Sequence, residues 1–169
     1  YEEAVLSLWQ LPHREEKYIA IDVARAHMDF INSKSLSLYE RMIRQGAWWD
    51  FVDDLSQHLV GRVLLGNPGA IYKKMDEWLK DEDLWTRRTA ILSQNTFKDK
   101  TDEDRLFRYC LICAPESEFF IRKAIGWALR QYSYTAPNRV KSFLLKHKNE
   151  LSGLSYREGA KVLKKMELM

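Results

Sequence analysis

Apolar positions recur along this chain at intervals of three and four residues, the spacing that aligns side chains on one face of an α-helix. Between His13 and Ile31, for example, Tyr18, Ile21, Val23, Ala24, Met28 and Ile31 follow it. Breaks fall at Pro12, Asn32-Ser33-Lys34-Ser35, Gly46, Gly66-Asn67-Pro68-Gly69, Asp81-Glu82-Asp83 and Pro115. Each is a residue type or cluster that ends a helix or opens a turn. The pattern predicts helices over 2–11, 13–31, 37–44, 48–65, 70–79, 84–93, 101–113, 118–132, 137–147 and 155–166. Glu15 and Glu16 suit a helix N-terminus, the run Thr101 to Asp104, Ser117 and Ser155 are expected caps, and Pro137 fits a first turn. No stretch alternates with period two, so no sheet is expected.

One spacing repeats within this series. Trp-x-x-Arg occurs at Trp85–Arg88 and at Trp127–Arg130, 42 residues apart, and Trp49 precedes Trp85 by 36. HEAT-type helical hairpins repeat about every 40 residues, and every second helix lines one concave face. The expected fold is therefore all-α, a HEAT-like helical-repeat solenoid forming a single domain over residues 1–169. Large aromatics at helical spacing are usually core, which is the reading for Trp9, Trp78 and Trp85. Trp49 and Trp127 differ, because Asp53 at i+4 and Arg130 at i+3 put a charge on the same face, which burial would penalise. A groove is the better location for both. Arg88, one turn beyond Trp85, is expected to face a phosphate backbone. Within Trp48 to Leu55, Trp48 is expected to pack inward and Asp50 and Asp54 to be solvated, leaving Asp53 beside Trp49.

Composition narrows the class. With 169 residues, 46% of them apolar and 12% aromatic, the chain carries enough apolar surface for a real core. No run reaches the roughly 18 apolar residues of a membrane helix and the N-terminus lacks signal-peptide features, so a soluble cytoplasmic protein is expected. The net charge of +3 is unevenly spread: residues 119–169 hold 11 Lys/Arg against 3 Asp/Glu, a net +8, whereas residues 1–54 hold 6 against 10. So basic a C-terminal third fits a polyanion, with nucleic acid ahead of membrane. Cys110 and Cys113 form a lone C-x-x-C inside an apolar helical pattern and read as buried thiols. The four histidines lack ligand spacing. No metal and no cofactor is assigned, and there is no glycine-rich phosphate loop.

The blocks Trp-Trp-Asp-Phe-Val-Asp, Leu-Trp-Thr-Arg-Arg-Thr-Ala-Ile-Leu and Glu-Phe-Phe-Ile-Arg-Lys-Ala-Ile-Gly-Trp-Ala-Leu-Arg-Gln-Tyr resemble the DNA alkylation repair glycosylases of the HEAT-like-repeat type, represented by AlkD. The resemblance runs from about His13 to Lys165, and the last block is its most specific part. It implies a C-shaped all-helical solenoid that holds duplex DNA in a concave basic groove and removes purines alkylated at N3 or N7. By position it implies that Asp53 is the catalytic carboxylate, that Trp49 and Trp127 are the lesion-proximal indoles and that Arg88 binds the DNA backbone. Phe119 and Phe120 match aromatics near the opposite strand. It also implies further helices ahead of Tyr1 that contribute to the groove, and a monomer as the default.

The chemistry is coherent on its own terms. An N3- or N7-alkylpurine is cationic and already a good leaving group, so the base needs no protonation. What remains is to stabilise positive charge developing on the sugar and to place a water, and a fixed carboxylate serves both. Indole faces attract cations by about 0.5–2 kcal/mol per contact. Lys123 on a groove helix is expected to contact phosphate, as is Arg130, rather than to form a Schiff base, so the expected enzyme is monofunctional. The alternative is a non-catalytic HEAT-type scaffold for DNA or protein, because fold does not fix function. Asp53 separates the two: a DNA scaffold gains nothing from a carboxylate that repels phosphate.

Overall fold

The helices expected from the apolar spacing form, with ends set by capping groups that the spacing alone does not locate. The computed structural model describes residues 1–169; it contains helices and no strands, in two compact units, Tyr1–Ser93 and Gln94–Met169. The N-terminal unit holds α1 (Glu2–Trp9), α2 (Arg14–Ala26), α3 (Ser35–Gly46), α4 (Trp49–Asp54), α5 (Gly61–Gly66), α6 (Pro68–Trp78) and α7 (Leu84–Leu92). The C-terminal unit holds α8 (Glu103–Ile112), α9 (Phe119–Tyr132), α10 (Pro137–Lys146), α11 (Gly153–Gly159) and α12 (Lys161–Lys165). No helix is long and apolar enough to cross a membrane.

In the N-terminal unit the long helix expected over 48–65 is interrupted. Helix α4 passes into a π-helical stretch at Leu55–Val60, where Gly61 N–H reaches back five residues to Ser56 O, and then into α5. Wider turns of this kind favour functional sites. This rod is the centre of the unit: α2, α3 and α7 all pack against it, and Val52, Leu55, Leu59 and Val60 are fully buried. Gly46 ends α3, but the left-handed backbone expected of a terminal glycine is taken by Ala47 at φ 41°. Gly46 is needed for space instead, since a Cβ there would lie 3.0 Å from the Trp9 ring. Trp9 and Trp78 are fully buried and Trp85 nearly so, as core residues should be.

The C-terminal unit is built on α9. Asp102 caps α8 by accepting from Arg105 N, so one carboxylate of the expected 101–104 cluster does the capping. Glu118 stands at the N-cap of α9 and Ser117 plays no part in it. Ser152, not Ser155, caps α11, and the Ser155 hydroxyl donates instead to Arg122 O on α9. The last predicted helix is divided at Ala160 into α11 and α12. Phe107 and Phe143 stack at 4.3 Å between α8 and α10, and both cysteines are buried and unbridged.

Helix α11 crosses α9 at Gly126, where an added Cβ would fall 2.4 Å from Glu158 Cβ. Contacts that close cannot be absorbed by a rotamer change, because both atoms are fixed to helical backbone. We expect Gly126→Ala to lower stability by about 1–3 kcal/mol in urea unfolding. Gly66→Ala, where nothing lies within 4 Å, should change it little; equal stability of the two variants would show that α11 can move off α9 without penalty.

Candidate functional site

Helix α4 begins at the N-cap Trp48, whose backbone is extended, directly after the left-handed Ala47. The sharp entry leaves both indoles at the surface: Trp48 is 45% exposed and Trp49 46%. Trp48 therefore does not pack inward as expected; its ring lies 6.1 Å from that of Trp85, tilted by 56°. An N-cap side chain projects off the end of the helix, and the helical periodicity that suggested burial does not apply to it.

One turn after Trp49, Asp53 is only 9% exposed. Its carboxylate is held by Arg88 of α7, with Nε donating to Oδ1 at 2.7 Å and Nη2 to Oδ2 at 2.8 Å. Arg88 is itself 4% exposed, so these two guanidinium donors, expected at a phosphate backbone, are spent on the carboxylate. The bidentate pair fixes one rotamer and one plane for the carboxylate. It uses one lone-pair direction on each oxygen and leaves others able to meet a water or a cation. Burial pushes the Asp53 carboxyl above the usual aspartate range; the Arg88 hydrogen bonds and charge oppose this, and the neighbouring charges of Asp50 and Asp54 add to it.

Asp50 and Asp54 are not simply solvated. Asp50 accepts from Arg14 and from the Tyr18 hydroxyl, both on α2, and Arg14 also lies over the Phe51 ring at 4.5 Å. Both Asp54 oxygens accept from one nitrogen of Arg25, Nη1, at 3.0 Å. Three acids in one helical turn are thus each committed to a different arginine. Behind Asp53, Gln57 Nε2 donates to its carbonyl at 3.0 Å, and the Ser56 hydroxyl donates to Thr89 of α7 at 3.0 Å, so the π-helical stretch is tied to the helix that carries Arg88.

The remaining predicted site residues lie in the C-terminal unit on α9. Trp127 is half-buried, Phe119 is exposed, and Phe119 meets Phe120 edge-on with ring centres 5.3 Å apart. Lys123 and Arg130 both reach Glu158 of α11, at 3.0 and 2.6 Å. No signal in helical periodicity identified Glu158, Asp50 or Trp48. One signal was available, however: cross-helix ion pairs recur at a nearly constant separation. Arg14–Asp50 spans 36 residues, Arg44–Asp81 37, Asp53–Arg88 35, Glu103–Arg139 36 and Lys123–Glu158 35. That is one helical repeat, so opposite charges about 36 positions apart mark neighbouring turns of successive repeats.

Such a repeat of ion-paired helices defines a helical-repeat protein, in which a nearly buried carboxylate lies one turn from an exposed indole. The sequence profile of the DNA alkylation repair enzyme family matches residues 1–163, and the chain belongs to that family. Membership places it in the repair of alkylated DNA. A solved structure described as a predicted DNA alkylation repair enzyme from Enterococcus faecalis has the same fold, with a TM-score of 0.86 and 32% identity over 96% of this chain and 75% of the other. Comparison with curated proteins gives no significant match.

Proposed function

We propose that this protein is a monofunctional DNA glycosylase that hydrolyses the N-glycosidic bond of cationic N3- or N7-alkylated purines in duplex DNA. The observation that carries the proposal is Asp53: a carboxylate that is nearly buried, locked by a bidentate arginine, and one helical turn from an exposed indole. Its anion stabilises the positive charge that develops at the sugar as the C1′–N bond lengthens, and the bond's electron pair leaves with the base, which departs neutral. A water then adds to C1′ and gives up its proton, with Asp53 placed to accept or relay it. Trp49 supplies an electron-rich face to the cationic nucleoside. A neutral purine gains little from either group, which gives selectivity for alkylated bases. By resemblance, Trp127 provides the second indole, and Phe119 and Phe120 lie toward the opposite strand. The Lys123 ammonium is engaged with Glu158, which suits a phosphate contact better than an amine nucleophile.

The direct test is release of 7-methylguanine from a methylated duplex, counted above spontaneous depurination. No enzyme-dependent release would remove the activity. The pH profile adds a second test. The ionised carboxylate is the working form and its pKa is raised by burial, so release should fall on the acid side through a pKa above that of an ordinary aspartate. An acid limb at or below the ordinary value would mean that another group controls the rate.

One observation favours a second reading, in which the protein binds alkylated DNA without cleaving it. Both Asp53 oxygens are engaged by Arg88, as in a purely structural ion pair. Binding of methylated duplex in preference to unmethylated duplex, with no base release, would support that reading.

A further inference from the structure

We propose that Glu158 is a positioning residue that gathers Lys123, Arg130 and Lys161 into one anion site, and that a backbone phosphate of DNA occupies it. The proposal rests on DNA being the ligand, and it adds two residues, Glu158 and Lys161, to which the sequence assigned no role.

Residues 119–169 carry only three acids among eleven Lys/Arg. Two of them, Glu150 and Glu167, are exposed, while Glu158 is 8% exposed and lies at the closest approach of two helices. Its Oε1 accepts from Lys123 Nζ at 3.0 Å and from Lys161 Nζ at 2.8 Å, and its Oε2 accepts from Arg130 Nη1 at 2.6 Å. Gly126 makes this possible. Glu158 Cβ lies only 2.4 Å from where a Cβ on residue 126 would be, and Lys123 and Arg130 lie three residues before and four after that glycine, on the same face of α9. A structural ion pair would need one cation. Three around one carboxylate leave a local charge of +2, and all three side chains keep contact with solvent, Lys161 at 54%.

Each cation also keeps donors beyond the one given to Glu158, since an ammonium has three and a guanidinium five. A phosphate that binds free lysines must first order their flexible stems. Here the stems are already ordered around a fixed carboxylate, so a phosphate meets a preformed fork. Although burial alone would raise it, hydrogen bonds from Lys161 and Lys123 hold the Glu158 carboxyl at about 2, so Glu158 stays ionised across the physiological range.

The test is equilibrium binding of the full chain to a short undamaged duplex at several salt concentrations. Lys161→Ala, on an exposed side chain, should reduce the slope of log K against log salt by about 0.9, the loss of one phosphate contact. Glu158→Gln separates positioning from simple charge. Removing an anion from a basic site should tighten binding several-fold if charge alone matters, whereas loss of the ordered fork should weaken it several-fold. Unchanged slope for Lys161→Ala, tighter binding by a folded Glu158→Gln, or no salt-dependent binding by the native chain would each overturn the proposal. If Glu158→Gln fails to fold, the Lys161→Ala slope decides alone. Base release is read separately: a reduced slope without base release keeps the phosphate site and removes the glycosylase reading, and base release with an unchanged slope does the reverse.

Discussion

Asp53→Asn should lower enzyme-dependent release of 7-methylguanine by about 10²–10³-fold, the usual loss when one preorganised electrostatic group facing a transition-state charge is removed. Asparagine keeps the shape and still accepts one hydrogen bond from Arg88, but its amide nitrogen faces the other donor and leaves a buried guanidinium unpaired, so the stability of the variant is measured by urea unfolding beside its release rate. Positive charge on the sugar exists mainly in the transition state, and the loss should therefore appear in kcat with little change in affinity for the methylated duplex. Single-turnover release and duplex titration, measured side by side, give both quantities. Equal release by the two proteins would exclude Asp53 from the chemistry, and a change confined to affinity would make it a binding residue.

Arg88→Ala should destabilise the N-terminal unit by about 3–5 kcal/mol, the range seen when one partner of a buried ion pair is removed. Arg88 is 4% exposed and Asp53 9%, so neither charge can turn to water without opening the packing of α7 against the central rod. The Asp53 carboxyl already titrates above its usual range with Arg88 in place. Without that guanidinium it should titrate higher still, since the hydrogen bonds and charge that oppose burial are gone. The sign for stability follows. A carboxyl with a raised folded-state pKa supports the fold below its unfolded pKa and loses that support as pH rises through the folded value. The penalty of Arg88→Ala should thus be greatest at neutral pH and shrink toward acid. Replacing both partners, as in Asp53→Asn with Arg88→Met, removes both buried charges and should recover most of the loss. Equilibrium urea unfolding at pH 7 and pH 4 tests this, and a wild-type midpoint for Arg88→Ala would show that the pair contributes nothing to the fold.

The wide turn at Leu55–Val60 has no counterpart in the apolar pattern. Leu55, Leu59 and Val60 satisfy an ordinary helical period, and the shift to longer hydrogen bonds is visible only in the backbone. Equal spacing also failed to give equal environments. Trp49, Trp85 and Trp127 stand 36 and 42 residues apart, yet the first is exposed, the second buried and the third between them. Repeat spacing fixes which helix a residue rides on, whereas exposure depends on what the preceding turn brings over it. Ala47 supplies that turn for Trp48 and Trp49, and an alanine in left-handed backbone carries no sequence signature.

By itself, the sequence determined that the chain is helical, which stretches are helical and which are breaks, that Trp49 and Asp53 lie one turn apart, and that the C-terminal third is basic. These are local properties, fixed by side-chain spacing within a few turns and by residue type. Only the tertiary structure decided which charges meet: that Arg88 closes on Asp53, that Arg14 and Arg25 take Asp50 and Asp54, and that Glu158 draws three cations around Gly126. Apart from Lys161, three residues from Glu158, these partners stand 28 to 36 residues apart along the chain, and how one helix crosses another sets which of them meet. A crossing is fixed by core volume and by single small residues such as Gly126, neither of which shows in a one-dimensional pattern.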